Sequence, residues 1–127
     1  MYKFTAIYRR VDDEPTLENF FSGTHLPLAE KLPGLLKSEV SRIERKPGGE
    51  SRFYLMYELY FESDIWFQRA MATPQGVQLI QALRPWADAK ILTWFFATSF
   101  EEETVARSAF FNAKTAGYVA PPHDEEE

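Results

Sequence analysis

Residues 52–62 constrain the fold of this chain more than any other stretch. Phe53, Leu55, Tyr57, Leu59 and Phe61 form one wholly apolar face, and Arg52, Tyr54, Met56, Glu58 and Tyr60 form the other, mixed face. A period of two means a strand, because successive side chains of an extended backbone point to opposite sides. A strand with one greasy face must bury that face against a second layer. With 127 residues, 45 % of them hydrophobic, the chain can build one core and one domain.

The rest of the chain supplies both layers. Tyr2 to Arg9 reads as a strand with Tyr2, Phe4, Ala6 and Tyr8 on one face. Arg10 to Pro15 is a polar loop. Thr16 is the expected N-cap of a first helix running toward Lys31, with Asn19 at its third position. Leu17, Phe20, Phe21, Thr24, His25, Leu28 and Leu32 keep the three-and-four spacing of a core stripe, and Pro33-Gly34 stops the helix. Leu35 to Arg45 is a second strand and Arg52 to Glu62 a third, and Pro47-Gly48-Gly49 between them reads as an antiparallel hairpin. Ser63-Asp64 caps a short helix through Ala72. Thr73-Pro74 starts another, with Thr73 as N-cap and Val77, Ile80, Leu83 and Trp86 as its buried side. Ile91 to Phe100, rich in Thr, Trp and Phe, is the last strand.

The resulting order, β-α-β-β-α-β, is the α+β arrangement of a ferredoxin-like domain with a four-stranded antiparallel sheet. Such a sheet carries helices on one face only. Tyr54, Met56, Tyr60 and part of the Trp94-Phe95-Phe96 cluster are expected on the other face. So large an aromatic surface does not stay in water. A closed two-fold contact, sheet against sheet, covers it, and a homodimer is the expected state. Residues 1–101 make this domain. Residues 102–127 read as a C-terminal arm, with a short helical hint over 106–117, docking candidates Phe110, Phe111 and Tyr118, and a disordered acidic end.

The first helix contains the most chemically suggestive segment. Pro27 has no N–H, and its ring crowds the carbonyl four residues back, that of Gly23. The helix should therefore loosen across Gly23-Thr24-His25, beside an imidazole on the buried stripe. A titratable ring at a local helix fault is a candidate acid, base or hydrogen-bond donor to a carbonyl. The plain alternative is a structural imidazole that bonds a backbone carbonyl freed by Pro27. Glu58, alone among apolar and aromatic neighbours, is a second candidate base unless Arg42 or Arg52 pairs with it. Tyr8, Phe21, Tyr54, Tyr57 and Trp94 are the candidate lining of a ligand cavity, and Tyr60 offers another phenol. Arg9 and Arg10 end the first strand, where they are placed to hold a carboxylate or a quinone-like oxygen.

Composition removes several function classes. The chain has no Cys, so thiolate chemistry, disulfides and thiolate zinc sites are excluded. It has two His, and His123 falls in the acidic end, so no metal site is expected. A formal charge of −5 without a basic patch argues against nucleic acid. No apolar run nears the roughly 20 residues of a membrane helix, and the first residues lack a signal-peptide layout. A soluble cytoplasmic protein is the expectation. Phosphate loops, nucleophile elbows and dinucleotide fingerprints are absent from the sequence.

Phe20-Phe21, His25-Leu26-Pro27-Leu28-Ala29 and Leu32-Pro33-Gly34, followed by Ala72-Thr73-Pro74-Gln75-Gly76, resemble the EthD family of the dimeric α+β barrel superfamily. The likeness spans residues 2–100. It implies a ferredoxin-like subunit whose sheet packs on a partner's sheet. Enzymatic relatives include methylmuconolactone isomerases and polyketide cyclases or dehydratases, with a histidine at the position of His25 in or near the cleft. The departures are Ser22-Gly23-Thr24 ahead of the histidine and the long extension past residue 102. The function expected from residues and resemblance together is binding or conversion of a small hydrophobic carbonyl or lactone compound. Conversion would be cofactor-free proton transfer, with a tyrosine or backbone N–H stabilising the enolate-like charge. The alternative is a non-enzymatic binding or accessory protein. Haem chemistry is a third reading, with His25 as its one axial ligand.

Overall fold

The computed structural model describes residues 1–101. The expected arm, residues 102–127, lies outside the described residues. Four strands, β1 (Tyr2–Arg9), β2 (Lys37–Arg42), β3 (Phe53–Phe61) and β4 (Leu92–Thr98), form one antiparallel sheet in the order β2-β3-β1-β4. Helices α1 (Glu14–Phe20), α2 (Leu26–Glu30), α3 (Asp64–Met71) and α4 (Pro74–Asp88) accompany it, and a π-helical turn, Phe21–His25, joins α1 to α2. The ferredoxin-like α+β order read from the sequence is the one observed.

Local chemistry explains where the elements begin. Thr73 is extended and its hydroxyl accepts the Gly76 N–H at 3.2 Å, with Pro74 in the first turn where a missing donor costs nothing. Ser63 caps α3 in the same way through the Trp66 N–H. The first helix departs from expectation. Its cap is Asp13, not Thr16. The Asp13 carboxylate accepts the Thr16 N–H at 3.2 Å and the Thr16 hydroxyl at 2.6 Å, so the helix starts three residues earlier. Strand β2 is also shorter than the expected Leu35 to Arg45, and its burial is patchy because it lies on a sheet edge. The hairpin between β2 and β3 forms as read, with Gly48 at φ 89°.

Cross-strand register decides the faces. Tyr8 sits opposite Leu55, Ala6 opposite Tyr57, and Phe4 opposite Leu59, while Ala6 and Phe4 face Trp94 and Phe96 on the other side. These residues share the helix side, and Phe4, Ala6, Tyr8, Leu55, Tyr57, Leu59, Phe61 and Leu92 are core. The open side carries Lys3, Thr5, Ile7, Met56, Glu58, Tyr60 and Phe95. Of the Trp94-Phe95-Phe96 cluster, only Phe95 belongs there.

Two expectations fail at one irregularity. The register shifts between Tyr8 and Arg9, which pairs with Phe53, so Tyr54 is the extra residue of a β-bulge. The bulge breaks the alternation that had assigned Phe53 to the core and Tyr54 to the open face. Phe53 is exposed. Tyr54 instead donates its hydroxyl to Glu18 of α1. On α4, Leu79 replaces Val77 in the core, and Gly76 is buried because α4 crosses the end of α3 there. A Cβ on Gly76 would sit 2.5 Å from the Met71 Cα, so only glycine fits.

Candidate functional site

Pro27 explains the local backbone at His25. Without an N–H at 27, the chain has no reason to keep regular α spacing ahead of it, and the turn widens. The Leu26 N–H bonds the Phe21 carbonyl, five residues back, and residues 21–25 form a π turn. The helix fault expected at Gly23-Thr24-His25 is thus present as this wider turn. A π turn also brings residues five apart near one another. Both Phe20 and Phe21 therefore reach the imidazole, with ring centroids 6.5 and 5.5 Å from it.

The imidazole is 1 % exposed. Its Nδ1 lies 2.6 Å from the Tyr8 hydroxyl, contributed by the middle of the sheet. The alternative partner considered from the sequence, a backbone carbonyl freed by Pro27, is not the one used. Tyr57 packs edge-on at 5.0 Å, and its buried hydroxyl has no hydrogen-bond partner among the described residues. Phe21 closes a third side, 5.0 Å from Tyr57. Phe20 and Trp86, stacked at 4.7 Å and half-buried, form the solvent side of the cluster. Burial pushes the imidazole down to about 3, because no solvent or anion supports its charged form. Burial likewise pushes the Tyr8 and Tyr57 phenols up. The cluster is therefore neutral across the physiological range.

Four residues singled out from sequence, Tyr8, Phe21, His25 and Tyr57, meet here. Three do not. Trp94 is on the helix side but packs on Phe4 at 6.2 Å. Glu58 lies on the open sheet face, 2.7 Å from the Lys3 ammonium. It is paired, though with Lys3 rather than Arg42 or Arg52. Tyr54 joins a polar clamp in which Glu18 receives both Nε and Nη2 of Arg42 at 2.9 and 2.8 Å. The Arg42 guanidinium, with help from the Tyr54 hydroxyl and against some burial, holds the Glu18 carboxyl down at about 2. Arg9 and Arg10 are also committed elsewhere. Arg9 donates to the Lys90 carbonyl, and Arg10 to the Ser51 and Ile43 carbonyls and to Glu14. Phe20 and Trp86 had been read only as core. The signal that could have promoted Phe20 is the proline itself, since a widened turn adds the fifth residue back to the fourth.

Two surface concavities among the described residues do not include the imidazole. One of about 520 Å³ is lined by Arg10, Glu14, Glu50 and Arg52, and one of about 570 Å³ by Lys3, Lys37, Tyr60 and Phe100. Among the described residues, no three His, Asp or Glu side chains group as a metal site, and no helix is long and apolar enough to cross a membrane.

No family model matches the chain. The cofactor-independent oxygenase SnoaB from Streptomyces nogalater shares the fold, with a TM-score of 0.50 and 16 % identity, over 82 % of this chain and 95 % of that one. An uncharacterized 11.0 kDa protein from the thcB-thcC intergenic region of Rhodococcus erythropolis is 26 % identical over 105 residues, 83 % of this chain and 98 % of the relative. A crystal structure of an EthD (ethyl tert-butyl ether) family protein from Bacillus halodurans C-125 superimposes with a TM-score of 0.73. That protein is 35 % identical, and the match takes in 79 % of this chain and 99 % of its own. With that identity and a superposition that takes in nearly the whole of that relative, this chain belongs to the EthD family.

Proposed function

We propose that the chain works as a homodimer that takes a small, mostly apolar carbonyl or lactone compound against His25 and converts it by cofactor-free proton transfer. The reaction would be of isomerase, cyclase or dehydratase type. The observation that carries this reading is the imidazole itself: fully buried, bonded to Tyr8, and set on a π turn among aromatic rings. A core that needed only volume would be better served by Leu or Phe, because a buried polar ring costs desolvation and a π turn costs backbone regularity. Aromatic walls exclude water, which strengthens any hydrogen bond made to a carbonyl whose oxygen gains charge. Phe20 and Trp86, on the solvent side, are the rings that must part to admit a ligand.

The dimer is argued from the open sheet face. Ile7, Met56 and Tyr60 are half-buried there and Phe95 is 42 % exposed, with the Lys3–Glu58 pair among them. A second copy placed face to face would remove this surface from water. A non-enzymatic binder is the second reading, and one observation favours it: two concavities among the described residues, one beside Arg10 and Glu14 and one beside Lys3 and Tyr60, do not include His25.

Deuterium incorporation into α-angelica lactone, followed by proton NMR, separates the two. Wild-type protein accelerates exchange at the carbon next to the carbonyl, and His25→Asn does not, while both show the same far-UV circular dichroism. Equal rates for the two proteins would leave the binder. Light scattering should give twice the 14.8 kDa chain mass, and Phe95→Asp should give a single chain. A wild-type mass of one chain sinks the dimer.

A further inference from the structure

Two phenols flank the His25 imidazole in opposite hydrogen-bonding states. The Tyr8 hydroxyl lies 2.6 Å from Nδ1, and the Tyr57 hydroxyl is buried and unpartnered among the described residues. A phenol has one proton to give, and a neutral imidazole has one N–H and one bare nitrogen. Tyr8 is fully buried, and among the described residues Nδ1 is the acceptor within its reach. With the imidazole proton on Nδ1, the Tyr8 oxygen would have to accept it, reversing a bond in which the phenol is the better donor and the bare imidazole nitrogen the better acceptor. The lower-cost arrangement has Tyr8 donating, Nδ1 accepting and the ring proton on Nε2.

We propose that Tyr8 is a positioning residue that holds His25 as its Nε2–H tautomer, and that this N–H and the Tyr57 O–H are two spare donors for one ligand oxygen. The assignment rests on the reading that a ligand enters this aromatic cluster. It narrows the ligand to a flat, apolar body bearing an enolisable carbonyl or a phenol, whose oxygen is negative or becomes so. His25 then acts on the ligand oxygen as a neutral donor and not as the base, and the proton lost from an enolising carbon passes to a water or hydroxide of the solvent admitted with the ligand. Tyr57 keeps its proton because burial pushes the phenol up. Ser38 on β2 acts the other way without reaching hydrogen-bonding geometry, and the Glu30 carboxylate, the smaller of the two effects, adds to the upward push. The ring contacts to the imidazole come from Tyr8, Phe20, Phe21 and Tyr57, none of which offers a charged acceptor. Cationic ligands gain nothing from such walls beyond cation–π attraction.

Long-range proton–nitrogen correlation NMR on histidine-labelled full-length protein reads the tautomer directly, and His123→Gln leaves one imidazole to observe. The expected spectrum has a pyrrole-type Nε2 and a pyridine-type Nδ1, unchanged from pH 8 to pH 5. Tyr8→Phe should lose that preference and show both tautomers. A pyrrole-type Nδ1, or an imidazolium at pH 6, overturns the assignment. The probe 4-nitrophenol reports the donor pair by absorbance. Wild-type protein should bind the phenolate at least tenfold more tightly than the phenol, and Tyr57→Phe should remove most of that ratio. An unchanged ratio in Tyr57→Phe removes Tyr57 from the pair. A reversed tautomer with probe binding intact defeats this assignment and spares the broader functional reading, whereas a wild-type protein that takes up no probe defeats both.

Discussion

Lowering the pH tests the burial of His25 in the most direct way. In the unfolded chain its imidazole titrates near 6.5, and in the folded chain burial pushes it down to about 3. Between those values the unfolded state binds a proton that the folded state refuses. Stability is therefore intact above about pH 6.5 and falls as the pH drops toward 3, by about 1.4 kcal/mol per pH unit. From pH 7.5 to pH 4.5 this single group should cost about 3 kcal/mol, a large share of the roughly 5–15 kcal/mol that holds an ordinary domain together. Urea unfolding at the two pH values, followed by circular dichroism, measures the loss. The same pair of titrations on His25→Asn cancels the carboxylates common to both proteins. The wild type should lose about 3 kcal/mol more than the variant. Equal losses would show that the folded imidazole titrates normally, and the argument from its burial would fail with it.

Two further perturbations probe the frame around the site. Gly76→Ala gains about 1 kcal/mol of helix propensity, yet its methyl would sit 2.5 Å from the Met71 Cα and 2.6 Å from the Ala70 carbonyl. Backbone cannot yield as a side-chain tip can, so a net loss of about 1–2 kcal/mol is expected in urea unfolding, and unchanged stability would refute the close crossing of α3 and α4. Glu18→Gln removes the negative charge and one of the two acceptor oxygens that serve the Arg42 and Tyr54 hydrogen bonds. The folded carboxyl is held low by Arg42, so its contribution is present above about pH 4.5 and is lost as the pH falls toward 2. Solvent exposure limits it to about 1 kcal/mol at pH 7, and the variant should flatten the acid limb of the stability curve over that window.

Much of this architecture could be read from local pattern. The alternation of Leu55, Tyr57, Leu59 and Phe61 is enough to name the core face of β3, and Thr73-Pro74 is enough to start α4. Pro27 announced a disturbed helix at His25, and a π turn is there. The misses share one origin. Asp13 took the cap from Thr16 because its carboxylate could hold both the N–H and the hydroxyl of Thr16, a choice between neighbouring caps that propensity alone does not make. Tyr54 and Phe53 changed sides because one extra residue shifts every side chain beyond it to the other face.

Period and punctuation act over a few residues, so the chain's own order of letters was sufficient for the strands, the helices and the identity of the histidine worth watching. The partner of that histidine was not legible there. Tyr8 and His25 are 17 residues apart and meet at 2.6 Å only because β1 lies in the middle of the sheet, under the turn that Pro27 widened. Glu58 found Lys3, and Glu18 found Arg42 and Tyr54, by the same kind of long-range encounter. Such pairings depend on strand order, a bulge and the angle at which a helix crosses, quantities that no short window of sequence contains.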